Sequence, residues 1–531
     1  MRTRTLLYMA LPALIVVALV FNPASAVAQQ TTTGIDCSQI AARHLMQQDN
    51  MRAGLTLMEC GVIPRPHGTS TGDVEDAPPP QPPNVLVSNR TCTSSSSCTK
   101  SESNAWHSAK TGDNTVVVTY NDSNGQGTDY SGLSYSLDNG TTFTEVLPPP
   151  LGTGHGTNYG DPIVLYNLKL QKWFAGDLVT GCGGLGIGVW TSPDGINWTV
   201  GACVHNGDDD DRESFWVDNN SFSAAYGRMY VSFNNFAVDG GALSLTHSDD
   251  GVTWSTPVLL ASSFVRDVQV TGALPGPPPA NARGYSTVIV AGMDEGGGGL
   301  ATRQNIIYRS TDGGVTWTNT VTGPRFAAAG DGTCPSNSYF AKMNPIIRHM
   351  GWGQPAVGPN GVVHYAYAGK GSLSTGDIYY VRSTDNGSTW STPIVLNDPE
   401  TNQYQSHWMP SVSVNWNLAA LIPPQDVTIS WYDRRNATTS CNVSTDPGCS
   451  YYRYGIQSPD NGNTWSSNIQ VSDQLVPMPT QDDGTVQPCY AGDYDYNTAF
   501  EGTAYITWTD GRVAVNGVQV QNVELEALPE P

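Results

Sequence analysis

Runs of four to eight residues rich in β-branched and aromatic side chains recur along the chain between clusters of Gly, Asp, Asn and Ser. Among them are "TVVVTYND" (115–122), "WFAGDLV" (173–179), "MYVSFNNF" (229–236), "STVIVAGMD" (286–294), "VVHYAYAG" (362–369) and "DVTISWYD" (426–433). Such runs, bounded by turn residues, predict β-strands. In the first unit the order is "NAWHSAK" (104–110), "TVVVTYND", "GLSYSLD" (132–138) and "TEVLPP" (144–149), which makes four strands. Residues 36–60, "DCSQIAARHLMQQDNMRAGLTLMEC", instead carry apolar positions at helical spacing with few breakers. They predict one or two short helices within an N-terminal segment at 29–75. The stretch "DAPPPQPPN" at 76–84 follows and predicts an extended linker.

Between the third and fourth strands of each unit stands nearly the same short sequence. It reads "SLDNGTTF" from 136, "SPDGINW" from 192, "HSDDGVTW" from 247, "STDGGVTW" from 310, "STDNGSTW" from 383 and "SPDNGNTW" from 458. The second is one residue short, and the third has His247 where Ser usually stands. One supersecondary unit repeated at such intervals signals a repeat architecture. The chemistry is that of a turn: Asp accepts bonds from backbone N–H groups, Gly permits positive φ, and Ser or Thr closes the loop. The terminal Trp or Phe packs inward. These aspartates read as architecture rather than catalysis.

Six such units run from about residue 101 to 473, and the tail adds three strands, "GDYDYNTAF" (492–500), "TAYITWTD" (503–510) and "VQVQNVELE" (518–526). The segment "NVLVSN" at 84–89 is similar to the outer strands of other units and is expected to complete the last sheet. Joining the two ends of the chain removes exposed edges and makes a β-propeller. The expected fold is therefore all-β, a propeller of four-stranded antiparallel blades over residues 84–526. It has seven blades, or six if one unit is an insertion.

The six turn elements resemble the Asp-boxes, or bacterial neuraminidase repeats, of the sialidase (neuraminidase) superfamily, and the resemblance covers nearly all of residues 84–525. It implies a ligand site on the face opposite the boxes. It also implies a secreted glycan-active protein, a glycoside hydrolase of terminal or acidic sugars. The alternative is a non-catalytic extracellular propeller that binds carbohydrate or protein, because Asp-boxes occur in both. The Phe/Tyr-Arg-Ile-Pro motif of that family is absent before Asp138, where Arg90 is the only arginine after the linker.

Several residues on that face carry suitable chemistry. Asp433, Arg434 and Arg435 end a strand in "WYDRRN", and Asp510 and Arg512 hold the matching place in "WTDGR". Arg212 begins the third unit, and Arg266 with Asp267 the fourth. Converging guanidiniums suit an acidic sugar because each binds a carboxylate bidentately; local Asp–Arg pairs that shape loops are the competing expectation. In "CYAGDYDY", Tyr490 and Tyr494 flank Asp493. The resemblance implies a tyrosine nucleophile paired with an acid, whereas most glycosidases use two carboxylates. The pool of carboxylates is Asp161, Asp267, Asp433, Asp493 and Asp510. His407 and Trp408 are candidates for contact with sugar. The acidic loop "GDDDDRE" at 207–213 offers oxygens to Ca²⁺ but lacks the spacing of a calcium loop. It reads as a solvated loop, and no cofactor is expected.

Charge and cysteines narrow the setting. The opening "MRTRTLLYMALPALIVVALVFNPASAVAQQ" has the order of a secretory signal peptide, expected at 1–28. The protein is thus expected to be extracellular or periplasmic and monomeric, with no membrane span after cleavage. A net charge of −22, from 25 Lys plus Arg against 47 Asp plus Glu, excludes nucleic acid and anionic membranes as partners. Ten cysteines in an oxidising compartment read as disulfides. Proximity pairs Cys37 with Cys60, Cys92 with Cys98, Cys182 with Cys203 and Cys441 with Cys449, leaving Cys334 for Cys489.

Overall fold

The computed structural model describes residues 31–66, 83–88, 92, 94–125, 129–147, 149–273, 284–344, 347–358, 361–415, 426–441, 449–479 and 483–531. The expected signal peptide, Arg90 and the linker up to residue 82 lie outside the described residues.

The chain is all-β with few helices, and its body consists of seven four-stranded antiparallel sheets. Sheet I contains Lys100–His107, Val116–Asp122, Ser131–Ser136 and Thr144–Glu145 in that order. Sheets II to VI repeat the pattern, starting at Ile163–Asn167, Asp210–Val217, Arg266–Gly272, Gln354–Val357 and His407–Val414. Sheet VII takes Thr498–Phe500, Thr503–Asp510 and Asn522–Pro529 from the tail and its fourth strand, Val85–Leu86, from the start of the chain. Val85 stands opposite Leu525, and Leu86 opposite Glu524. The first strand of each sheet packs against that of the next, and Thr498–Phe500 packs against Lys100–His107.

Burial declines across each sheet. In sheet III, Asp210–Val217 and Met229–Asn235 are buried at every position, whereas the outer strand Val258–Phe264 is buried at none. Strands covered on both faces need no alternation, which explains runs such as "VVV" at 116–118.

The six repeated turns share one hydrogen-bond pattern. In each, a Ser hydroxyl accepts from a glycine N–H at 2.8–2.9 Å: Ser136 from Gly140, Ser192 from Gly195, Ser248 from Gly251, Ser310 from Gly314, Ser383 from Gly387 and Ser458 from Gly462. Each glycine has a φ between 74° and 88°, a region that L side chains avoid. The Thr389 hydroxyl and amide hold the Asp385 carboxyl down to about 2. The third turn corrects the sequence alignment. Ser248, not His247, plays the serine's part, so this turn is as short as the second. Ser383→Ala should lower stability by about 1–2 kcal/mol, because the buried Gly387 N–H loses its acceptor. A thermal melt checks this, and an unchanged midpoint would show that the turn is held by Asp385 alone.

Four disulfides pair as proximity suggests, and Cys334 and Cys489, the two left over, pair with each other. Cys334–Cys489 ties an insertion between sheets IV and V to the segment entering sheet VII. That insertion forms a small sheet of Gly332–Thr333, Ala341–Asn344 and Ile347–Arg348. Residues 31–66 carry a 3-10 turn, Cys37–Gln39, and the helix α1, Met51–Glu59, closed on themselves by Cys37–Cys60. The Asn50 side chain caps α1 by accepting from the Ala53 N–H at 2.9 Å. Leu45, Leu55, Leu57 and Met58 are buried in one cluster with Tyr159, Tyr490 and Tyr494. Among the described residues, no helix is long and apolar enough to cross a membrane.

Candidate functional site

The start of each first strand lies at the end of its sheet opposite the repeated turns, because the strands are antiparallel and the turns join strands three and four. At matching positions there, four charged residues adopt left-handed backbone: Glu102 (φ 55°), Asp161 (65°), Arg212 (59°) and Asp267 (61°). Met409 of sheet VI does the same at 46°. The strand register shifts beside four of these residues, between Ser101 and Asn104, Asp211 and Ser214, Arg266 and Gln269, and Trp408 and Ser411. A bulge of this kind re-aims a side chain, and each such non-glycine residue costs about 1–3 kcal/mol. Repetition of that cost around one end of the molecule points to a site.

Three arginines converge there. Arg266 bonds Asp49 at 2.5 Å and Asp211 at 2.6 Å, Arg212 bonds Asp267 at 2.8 Å, and Arg348 makes a two-nitrogen fork to Asp493. Arg348 also donates to the Asp49 carbonyl at 2.7 Å. All three are essentially inaccessible to solvent. Aromatic rings line them: Arg212 lies over Tyr494 and Trp352, with 4.1 and 4.7 Å to the ring centres, and Arg348 over Phe340 at 4.4 Å. Burial alone would raise the Asp49 carboxyl, but Arg266, then Arg212 and Arg348, hold it down to about 2. The Asp49 carboxylate thus pairs with Arg266, while Arg348 holds the Asp49 carbonyl and Arg212 acts on the carboxylate through charge.

Acids and phenols border this centre. Burial, then the Asp49 charge, push Asp161 up to about 7, and it hydrogen-bonds to Glu102. Burial and the neighbouring Asp161 and Asp493 charges push Glu102 well above the usual range. Glu102 accepts from the Asn121 amide at 2.6 Å and from the Asp493 N–H at 2.9 Å. The Tyr494 phenol is buried with no hydrogen-bond partner among the described residues, while that of Tyr490 bonds Asn121 at 2.8 Å and Ser101 at 3.2 Å. Burial pushes Asp267 up to about 6 despite Arg212 beside it. A cavity of about 110 Å³ is lined by all seven first strands, with Trp106, Ser214, Gln354 and Tyr496 in its wall, and none of these arginines or acids lines it.

Of the residues expected from sequence, Asp161, Arg212, Arg266, Asp267, Tyr490, Asp493 and Tyr494 are brought together. Asp433 and Arg435 instead form a closed local fork, and so do Asp510 and Arg512. In both, the Arg side chain bonds both carboxylate oxygens and a tryptophan indole, Trp431 or Trp508, donates to the same acid at 2.9 or 2.8 Å. Arg434 is buried, and burial pulls its guanidinium down to about 10. Trp408 is core, stacked on Tyr432. Although burial opposes its charge, Asp433, Asp377 and Glu400 raise the His407 imidazole.

The acidic loop at 207–213 is not the solvated loop expected. Asp209, Asp210 and Asp211 are at most 2% exposed, because Arg43, His205 and Arg266 respectively cover them. Among the described residues, Asp49, Asp161 and Asp211 bring ligand atoms within 4.8 Å of one another, as do Asp377, Glu400 and His407. In the first group Arg266 already supplies the positive charge. A third group, His155 with Cys182 and Cys203, has both sulfurs in a disulfide.

Sequence reasoning missed Glu102, Asp211, Arg348 and Asp49. The matching tetrapeptides "SESN", "DRES" and "RDVQ" that open sheets I, III and IV would have pointed to Glu102. No repeat signal marks Arg348, which lies in the insertion, or Asp49, which lies outside the sheets.

No protein-family model matches the chain, and no curated protein matches it. Among solved structures it is similar to an α-L-arabinanase of Penicillium chrysogenum complexed with arabinobiose, at 12% identity over 67% of this chain and 94% of that one, with a TM-score of 0.40. It is also similar to an ulvan lyase, a polysaccharide lyase, at 12% identity over 82% and 96%, with a TM-score of 0.44. A Hadza microbial sialidase matches at 14% identity over 75% and 73%, with a TM-score of 0.36.

Proposed function

We propose that the seven sheets are the blades of a β-propeller and that the protein is an extracellular or periplasmic glycoside hydrolase. In this reading it recognises a carboxylate-bearing saccharide through Arg212, Arg266 and Arg348. The observation that supports this is the group of three buried guanidiniums on the face opposite the repeated turns, with the Asp49 carboxylate paired to Arg266 at 2.5 Å. A trap of that charge and geometry suits a uronic or other acidic sugar.

The chemistry follows from the neighbours. The Glu102–Asp161 pair holds a proton near neutrality, so it supplies a general acid for the leaving oxygen. The Tyr494 phenol passes its proton to the ionised member of the pair and attacks the anomeric carbon. Water then releases the sugar and restores the phenol, as in a retaining reaction.

The experiment is hydrolysis of a panel of aryl glycosides, including sialosides, glucuronides and neutral furanosides, alongside binding to a glycan array. Turnover confined to acidic glycosides is the expected result. Cleavage of neutral glycosides alone would remove the arginines from substrate recognition. Array binding with no turnover would make the protein a lectin-like propeller.

A further inference from the structure

The arginine cluster is closed off by the protein's own N-terminal segment. Besides the contacts of Asp49, the Asn50 amide donates to Asp211 at 2.7 Å, and the Asp49 N–H lies 3.3 Å from the same carboxylate. The Met51 N–H donates to the Tyr159 carbonyl, and the Asn337 amide to the Met46 carbonyl at 3.0 Å. The tip at 46–51 is therefore read by the same face that carries the candidate site.

Two features set this contact apart from ordinary packing. First, an ionised carboxylate in a dry interior seldom improves stability over an apolar side chain of the same volume. Its presence against Arg266, with Arg348 on the Asp49 carbonyl and Arg212 beside them, makes sense if those arginines are there for a carboxylate. Asp49 also leaves donors over: Arg212 Nε and Nη1, Arg266 Nε and Arg348 Nη1 are buried with no acceptor among the described residues. A ligand with hydroxyls beside its carboxylate would use them; Asp cannot.

Second, no disulfide joins the segment to the sheets. Cys37–Cys60 lies wholly within it, whereas the other four bonds lie within the remainder of the chain. The segment is a cross-linked unit of its own, held to the body by non-covalent contacts and one stretch of chain.

We propose that residues 31–66 are an intramolecular plug in which Asp49 stands where the carboxylate of an acidic saccharide would stand, so that segment and sugar compete for Arg212, Arg266 and Arg348. This rests on the acidic-sugar reading of the site. The cluster then recognises a carboxylate with an adjacent hydroxyl, and the form of the chain described is the closed one.

The test uses the full chain in three forms: parent, Asp49→Ala, and a variant with a specific protease site placed at 72–80 and cleaved. D-glucuronate and N-acetylneuraminate are titrated calorimetrically, with galactose as the neutral control, and hydrogen exchange is followed over 51–59. At least ten-fold tighter binding of an acidic sugar by Asp49→Ala or by the cleaved chain is expected, together with faster exchange of α1 when the sugar is added to the parent. Equal binding by all three forms, with α1 protection unchanged, would overturn the plug and leave the site reading intact. Release of the segment on cleavage, seen by native mass spectrometry, with no acidic sugar bound by any form, would sink the site reading and the competition with it. If Asp49→Ala does not fold, the cleaved chain decides alone.

Discussion

Arg266→Met should lower the stability of the folded chain by about 3–5 kcal/mol, the largest effect expected of any single substitution here. Methionine nearly matches the arginine stem in volume, so the loss does not come from a cavity. It comes from Asp49 and Asp211, both within 2.6 Å of the guanidinium and both buried, which would be left side by side without their shared counter-charge. One of them must then take up a proton or drag water inside. A second substitution, Asp49→Asn, should restore part of the loss, since it removes one of the two stranded charges. A double-mutant cycle on the thermal melts reads this coupling directly. If the single and double variants melt alike, the pair does not share Arg266 in solution.

That cluster also shows where sequence reasoning reaches and where it stops. The sheets were legible because their signals are local. Two-sided burial produces runs such as "VIVAGMD", and the turn between strands three and four needs Ser, Asp and Gly at fixed offsets. Even the closing strand at Val85–Leu86 could be inferred, since "NVLVSN" matches the outer strands of other units.

Members of the buried arginine cluster were legible only where they fell at the start of a recognisable unit, as Arg212, Arg266 and Asp267 do. "WYDRRN" and "WTDGR" carry equally suggestive residues, yet Arg435 and Arg512 each fold back onto the Asp two positions earlier. Each fork is held further by distant residues, Asp398 and Asn468 on Arg435 and Asp473 and Asn84 on Arg512. Arg348 and Asp49 present the opposite case. Their meaning depends on an insertion and a helical segment meeting the same end of the molecule, and no periodicity records that meeting. Charge count alone could not help either. The strongly acidic composition conceals that Arg212, Arg266 and Arg348 lie buried together.

The second large effect is on pH. Burial holds Asp161 at about 7, Asp209, Asp210 and Asp267 at about 6, and Glu524 at about 8 in the folded chain. All five lie above the 3.8 or 4.5 of an exposed carboxyl, so the folded state binds these protons more tightly than the unfolded chain. Their contribution is complete below about pH 4 and is lost as pH rises through 6 to 8. Asp49, held at about 2, works the other way: its contribution exists above pH 4 and disappears as pH falls towards 2. Stability should therefore peak near pH 4–5. Since one pKa unit is worth about 1.4 kcal/mol, the fall between pH 5 and 8 is on the order of 10 kcal/mol, and relief of the −22 net charge adds to the gain on acidification. Melting curves from pH 3 to 9 at constant ionic strength should show a midpoint several degrees higher at pH 5 than at pH 8. Glu524→Gln should flatten the limb between pH 6 and 8, because it removes a group that burial and the nearby Asp510 charge raise to about 8. A midpoint that climbs towards pH 8 would mean that water reaches these carboxyls and that the interior beneath the arginine cluster is not dry.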